Sequence, residues 1–279
     1  PPEAARVVYT GQIAGHAVEV HAASFQDLPP LWLVRCDALF GRTGNPYLGP
    51  DGRDWPDNAE RFALLARTAA TLALQGADGF RPDVLHLNDW QTGLAAALLT
   101  DLPARPGLVF TIHNLNFQGN FPYEWFGRLA LPPEFATMDR LEFHGQLSFI
   151  KGGIVHADAI TTVSPTYARE ICTPALGAGL DGLLRHRAAA LTGILNGIDP
   201  DVWNPAIDPL IHTRYDLATV ERKGANKRAL RAALDLPTVA APLLGMVSRL
   251  TEQKGIDLVL ECLPRILDAG AQVVVLGSG

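Results

Sequence analysis

Six short β-branched or apolar runs constrain this chain most. They lie at residues 84–87, 108–112, 159–163, 194–195, 243–247 and 273–276, separated by helical patterns or loops. Runs of this kind suit strands covered on both faces, as in a parallel sheet. Between them, residues 57–75 are rich in Ala and Leu, with Asp57 and Glu60 spaced as a capping box. Ile256, Val259, Leu260, Leu263 and Leu267 recur at helical spacing around Pro264, where a kink is expected. Strand alternating with helix predicts α/β layers joined by right-handed crossovers. Residues 7–9 and 31–35 read as antiparallel or edge strands, and the Gly/Pro/Asn/Asp-rich stretch 41–58 as loop. Residues 197–242 read as a connection holding a charged helix from about 220 to 234.

Nearly every run ends in polar residues at its C-terminal side. The sequence continues into Asn88-Asp89-Trp90, His113-Asn114, Ser164-Pro165, Asn196-Gly197, Ser248-Arg249 and Gly277-Ser278-Gly279. Open parallel sheets bind ligands outside the carboxyl ends of their strands, so these residues are the candidates for a site. Most have a plainer reading. Taken alone, Asp89 reads as a helix cap, Trp90 as core, His113 as a satisfied buried histidine and Asn196-Gly197 as a turn. Asp199-Pro200-Asp201 mimics an Asp-x-Asp metal motif, but its proline and its place after a turn favour a solvent loop, and no metal is expected. Arg249 leaves a strand end and Lys254-Gly255 opens a helix; two cations beside a helix N-terminus suit a diphosphate. A surface pair with Glu252 is the even alternative. Gly277-Ser278-Gly279 is the start of a phosphate-cradling loop at most.

Composition excludes several classes. A net charge of -6 argues against a broad nucleic-acid surface, and no apolar run reaches the ~18 residues of a membrane span. The three cysteines, Cys36, Cys172 and Cys262, are scattered, which fits reduced thiols of a cytoplasmic protein. No Gly-x-Ser-x-Gly elbow, Walker loop or Cys-x-x-Cys is present. The start at Pro1 and the stop at Gly279 after an apolar run read as a piece of a longer protein, incomplete at both ends.

Longer motifs carry a resemblance: HLNDWQTGL at 86–94, TIHNLNFQG at 111–119, GQLSFIK at 145–151, SPTYAREI at 164–171, GILNGID at 193–199 and SRLTEQKG at 248–255. From about residue 33 onward the chain resembles the bacterial glycogen synthases and plant starch synthases, retaining glycosyltransferases. The motifs' order and spacing make the resemblance specific. It implies two Rossmann-like domains facing across a cleft (the GT-B type), here residues 1–192 and 193–279, the second truncated. It implies ADP-glucose as donor, the non-reducing end of an α-1,4-glucan as acceptor and no cofactor or metal. By position His113, Arg249 and Lys254 look catalytic. Arg249, Lys254, Asn196, Gly277 and Gly279 look donor-binding, and Asp89, Asn114 and Lys151 line the sugar cleft. Asn88 stands where the family often has His, and Phe117 where it often has Tyr. The family's N-terminal Lys-(Thr/Val)-Gly-Gly-Leu loop and its Glu-Pro-Cys-Gly-Leu segment with an essential glutamate are not found, so this piece alone is expected to be inactive. The truncated second sheet is expected to leave an apolar edge open. Rival readings are a transferase of this fold with another nucleotide sugar, a non-catalytic glucan-binding relative, and a nicotinamide-dependent dehydrogenase. The last needs a third glycine and an acidic residue beyond Gly279 and leaves the earlier motifs unexplained. Oligomeric state is not legible.

Overall fold

A computed structural model describes residues 5–25 and 28–278. The chain divides into two compact units, Pro1–Asn196 and Gly197–Gly279.

The first unit opens with an antiparallel sheet of β1 (Arg6–Ile13), β2 (His16–Ala23) and β3 (Leu31–Arg35), in that order. Part of β1 and all of β3 were expected from pattern, and β2 was not. β1 and β2 form a hairpin turning on Ala14 and Gly15, both at positive φ (50° and 82°). A short helix α1 (Asp37–Phe40) and the loop lead to α2 (Asn58–Gln75). Asp57 and Glu60 do not close a capping box. Asp57 instead takes a bidentate pair from Arg42 (3.0 and 2.7 Å), and Glu60 meets His16 at 3.0 Å. α2 packs in two directions. Phe62, Ala63, Ala66, Ala70 and Ala73 join the main core, while Leu64 and Leu72 sit with Ile13, Val18 and Val20 under the antiparallel sheet.

The main core surrounds a parallel sheet. Its elements follow as β4 (Val84–Asn88), α3 (Trp90–Leu99), β5 (Gly107–Ile112), β6 (Asn120–Pro122), α4 (Trp125–Arg128), β7 (Glu142–Phe143), β8 (Gln146–Ser148), α5 (Phe149–His156), β9 (Ala159–Thr162), α6 (Pro165–Glu170), α7 (Asp181–His186) and β10 (Leu191–Gly193). The parallel order is β10-β9-β5-β4, and β6, β8 and β7 form a separate small antiparallel sheet. Phe110, Ile112, Leu94, Leu99, Phe149 and Ile150 are sealed in this core. α3 and α5 cross with backbone on backbone. A Cβ on Gly93 would lie 2.1 Å from the Phe149 carbonyl oxygen, and one on Gly153 2.4 Å from the Phe110 ring.

One correction concerns the fourth run. The strand is Leu191–Gly193, and Ile194 and Leu195 are 57% and 71% exposed. The Ile194 N–H still donates to the Thr162 carbonyl (2.8 Å), after which the chain leaves the sheet. Gly193 is required because a Cβ there would meet the Ser164 carbonyl at 2.1 Å.

In the second unit α8 (Lys223–Ala233), β11 (Leu243–Val247), α9 (Ile256–Asp268) and β12 (Gln272–Leu276) assemble a parallel strand pair. α9 runs through Pro264. Arg231 is buried and ties α8 to the sheet through Gln272 Oε1 (2.6 Å) and the carbonyls of Val239 and Ala241 (both 2.7 Å). Leu244, Val247, Val275 and Leu276 remain exposed.

At the end of α5, His156 is held neutral. Burial, then Arg140, push its pKa down to about 4 from 6.5, Arg187 adds to this, and Asp101 and Asp139 oppose it. Its Nε2 is buried without a partner. Between those two pH values the unfolded chain binds the extra proton. This contribution is therefore complete above about pH 6.5 and is lost as pH falls toward 4. The loss should be on the order of 2 kcal/mol after discounting for the solvated part of the ring. Urea midpoints of wild type and His156→Gln at pH 7 and pH 4.5 check it: the wild type should lose more. Equal losses would remove His156 from the account.

Candidate functional site

The C-terminal ends of β4 and β5 carry a connected polar group. Asp89 follows β4 at φ 56°, and its backbone N–H donates to the Thr111 carbonyl (2.9 Å). Its side chain makes no cap on α3, contrary to the plain reading of the sequence. Asp89 Oδ1 accepts instead from the His113 backbone N–H at 2.8 Å. The carboxylate thus links the end of one strand to the first residue beyond the next. His113 is exposed rather than buried, and its Nε2 lies 2.9 Å from Asn88 Oδ1. A carbonyl oxygen only accepts, so in this contact Nε2 donates. Asn88, a departure from the resemblance, therefore orients the ring.

Further partners hold this edge; of these, Tyr167, Asn116, His86 and Thr161 stand outside the strand-end pattern. The Leu115 N–H donates to Tyr167 Oη of α6 (3.1 Å), whose N-terminus Ser164 caps by accepting from the Tyr167 N–H (2.9 Å). Asn114 Oδ1 accepts from the Asn116 N–H (3.1 Å), which shapes the turn after His113. Below the edge, His86 Nε2 lies 2.6 Å from Thr111 Oγ1, and Thr111 Oγ1 lies 2.5 Å from Thr161 Oγ1. Trp90 is 9% exposed and packs among Phe62, Tyr47 and Phe121, so it is core and not a sugar platform.

Lys151 is a correction. It is 5% exposed, and its ammonium donates to the carbonyls of Met138 and Glu142, so it binds the β7–β8 region to α5 rather than lining a cleft. Burial pulls its pKa down, with Glu142 and Asp139 acting the other way. Asn196 is exposed beyond β10. Asp199 Oδ1 accepts from the N–H groups of Asp201 (2.9 Å) and Val202 (3.2 Å), an Asx turn in an exposed loop. Among the described residues no group of three or more His, Cys, Asp and Glu could hold a metal, and no helix is long and apolar enough to cross a membrane.

The second unit has its own polar strand edge. The segments after β11 and β12 run side by side: the Ser248 N–H donates to the Leu276 carbonyl (3.1 Å) and the Leu250 N–H to the Ser278 carbonyl (3.0 Å). Gly277 permits this, since a Cβ there would lie 2.1 Å from the Ser248 carbonyl oxygen. Arg249 stands between them, exposed. A 3-10 turn, Glu252–Lys254, then leads through Gly255 at φ 73° into α9. Arg249 and Lys254 form no ion pair among the described residues, so the pairing with Glu252 is not made. Gly279 lies outside the described residues. Chemically, the first edge offers an oriented imidazole and a fixed carboxylate. The second offers two unpaired cations at a helix start, the donor set for an anionic group.

Comparison with known proteins finds similarity in both sequence and fold. The family described as starch synthase catalytic domain matches residues 4–186. Glycogen synthase 1 of Methylococcus capsulatus is 58% identical over 252 residues, covering 90% of this chain and 51% of that protein. A glycogen synthase of Rhodopseudomonas palustris is 51% identical over 271 residues, covering 96% and 56%. The catalytic domain of starch synthase IV from Arabidopsis thaliana, solved bound to ADP and acarbose, superposes with a TM-score of 0.79 at 31% identity over 99% of this chain and 56% of that one. The chain spans about half the length of the curated relatives it matches.

Proposed function

The chain belongs to the starch synthase catalytic-domain family, and from that premise we propose that the full-length protein transfers glucose from ADP-glucose to the non-reducing end of an α-1,4-glucan, in the cytoplasm, with retention of configuration. In this reading the two units are the Rossmann-like halves of a GT-B fold. The observation that carries it is the first strand edge: an exposed imidazole whose backbone is fixed by Asp89 and whose ring is fixed by Asn88, in a chain with these relatives.

Transfer breaks the bond between glucose C1 and the diphosphate. Negative charge gathers on the leaving diphosphate and positive charge on the sugar ring. Arg249, Lys254 and the N-terminal end of α9 receive the diphosphate. His113 sits over the sugar and positions it, with Asp89 and Asn114 nearby in the sugar site and Asn196 and Gly277 on the donor side. No carboxylate of this chain is assigned as a covalent nucleophile; the acceptor hydroxyl enters on the face from which the diphosphate leaves.

Two fixed cations do what a metal does in other transferases, so the reaction needs none. Incorporation of glucose into glycogen by the full-length protein should proceed with ADP-glucose, run at least ~10-fold slower with UDP-glucose, and keep its rate in excess EDTA, where a tenfold rate difference corresponds to about 1.4 kcal/mol. Preference for UDP-glucose would refute the donor assignment, and loss of activity in EDTA the metal-free one.

A further inference from the structure

A cavity unrelated to either strand edge lies in the first unit, between the β1–β2 turn, α2 and the end of α4. It holds about 180 Å³ and is lined by His16, Glu60, Arg67 and Arg128, with Ala14 and Ala130 at its rim. The rim is built from tight turns. Ala14 and Ala130 both take left-handed backbone (φ 50° and 47°), and the turn after α4 is closed by the Ala130 N–H on the Gly127 carbonyl (2.9 Å) and the Leu131 N–H on the Phe126 carbonyl (3.0 Å).

The charges inside do not balance. Glu60 is engaged by His16 at 3.0 Å. Arg67 is half-buried, spends one N–H on the Leu129 carbonyl (2.7 Å) and makes no ion pair among the described residues. Arg128, exposed at the mouth of the cavity, sits over the Trp125 ring at 3.7 Å and also makes no ion pair among the described residues. Two guanidiniums thus line a small cavity that holds one carboxylate, Glu60, hydrogen-bonded to His16. Burial lowers the Arg67 pKa.

We propose that this cavity binds a phosphate group, held by Arg67 and Arg128. Guanidinium forks match phosphate oxygens, and the volume is below the ~300 Å³ at which ordinary ligand pockets begin, so a nucleotide does not fit. Free phosphate and a phosphomonoester share this chemistry. A second, open groove of about 400 Å³, lined by Tyr9, Gln12, Thr71 and Gln75, adjoins the cavity at Arg67 and offers hydrogen bonds to the hydroxyls of an ester.

The test is thermal unfolding and titration calorimetry of the chain with inorganic phosphate, with glucose 6-phosphate as a probe ester, and with potassium chloride at matched ionic strength. At ten times its dissociation constant, the ligand should raise Tm by about 3 °C. Arg67→Gln and Arg128→Gln should each weaken binding at least tenfold (an arginine–phosphate contact is worth more than ~1.4 kcal/mol). Arg249→Ala should leave it unchanged. Tighter binding of the ester assigns the groove a part; equal binding assigns the site to phosphate alone. No shift beyond chloride, or a shift that survives in both arginine variants or disappears in Arg249→Ala, overturns the proposal.

Discussion

Arg249→Ala should lower turnover with ADP-glucose about 100-fold in the full-length protein while moving Tm by no more than about 1 °C. Removing one fixed charge aimed at a developing anion costs ~3 kcal/mol of transition-state stabilisation, which is that factor in rate. The two halves of the prediction rest on different observations. The rate loss rests on position: Arg249 leaves β11 in a segment hydrogen-bonded to the one after β12, so its backbone is fixed before any ligand arrives. The unchanged Tm rests on exposure and on the missing ion pair, because an exposed, unpaired side chain contributes little to stability. Arg249→Lys should recover only part of the rate, since an ammonium cannot make the forked contact. Steady-state kinetics beside differential scanning calorimetry decide the matter. Turnover within threefold of wild type would end the role assigned to Arg249.

Gly93→Val should abolish the native fold. Gly93 sits inside α3, where glycine costs a helix up to ~1 kcal/mol relative to alanine, so propensity alone favours replacing it. Packing reverses the sign. The first carbon of any side chain would sit 2.1 Å from the Phe149 carbonyl oxygen and 3.2 Å from the Gly153 nitrogen, both backbone atoms that cannot swing aside. Separating α3 from α5 would open the core around Phe110, Leu94 and Ile150, a loss of more than about 4 kcal/mol. Gly224→Ala in α8 is the control. There the added carbon meets only the flexible Arg228 tip at 3.6 Å, and stability should hold or rise slightly. Soluble yield and urea midpoint give both answers. A Gly93→Val chain as stable as wild type would mean that the helices do not cross as described.

The strand at 108–112 was legible because a strand covered on both faces is mostly apolar; 84–87 and 243–247 carry similar runs although Val84, Leu244 and Val247 are exposed. Leu191–Gly193 was missed for a converse reason. Its glycine is dictated by a carbonyl contributed from Ser164, and the exposed Ile194 and Leu195 imitate the expected pattern. The capping readings of Asp57 and Asp89 fail for one cause. Each side chain had a plausible use close by, and each is taken by a distant partner: Arg42 and the His113 N–H. Local spacing cannot rank such competitors. The small β6–β8–β7 sheet was invisible because strands of two or three residues carry no period. Of the candidate site, the residue types and their place at strand ends were readable, but the bonds that orient them were not.

The row of contacts from His86 through Thr111 to Thr161 spans three neighbouring strands, with Thr111 opposite Thr161 and His86 reaching Thr111 diagonally. In a parallel sheet a slip of one residue shifts a strand by ~3.3 Å and turns every side chain to the opposite face. A purely greasy interior tolerates such sliding better than one with hydroxyls that must meet. The threonines therefore act as a vernier: they set the heights at which the three chains emerge, and so whether an imidazole arrives level with the groups around it. Drift in catalytic alignment among variants of this protein should trace to these unreactive residues several ångströms beneath the chemistry.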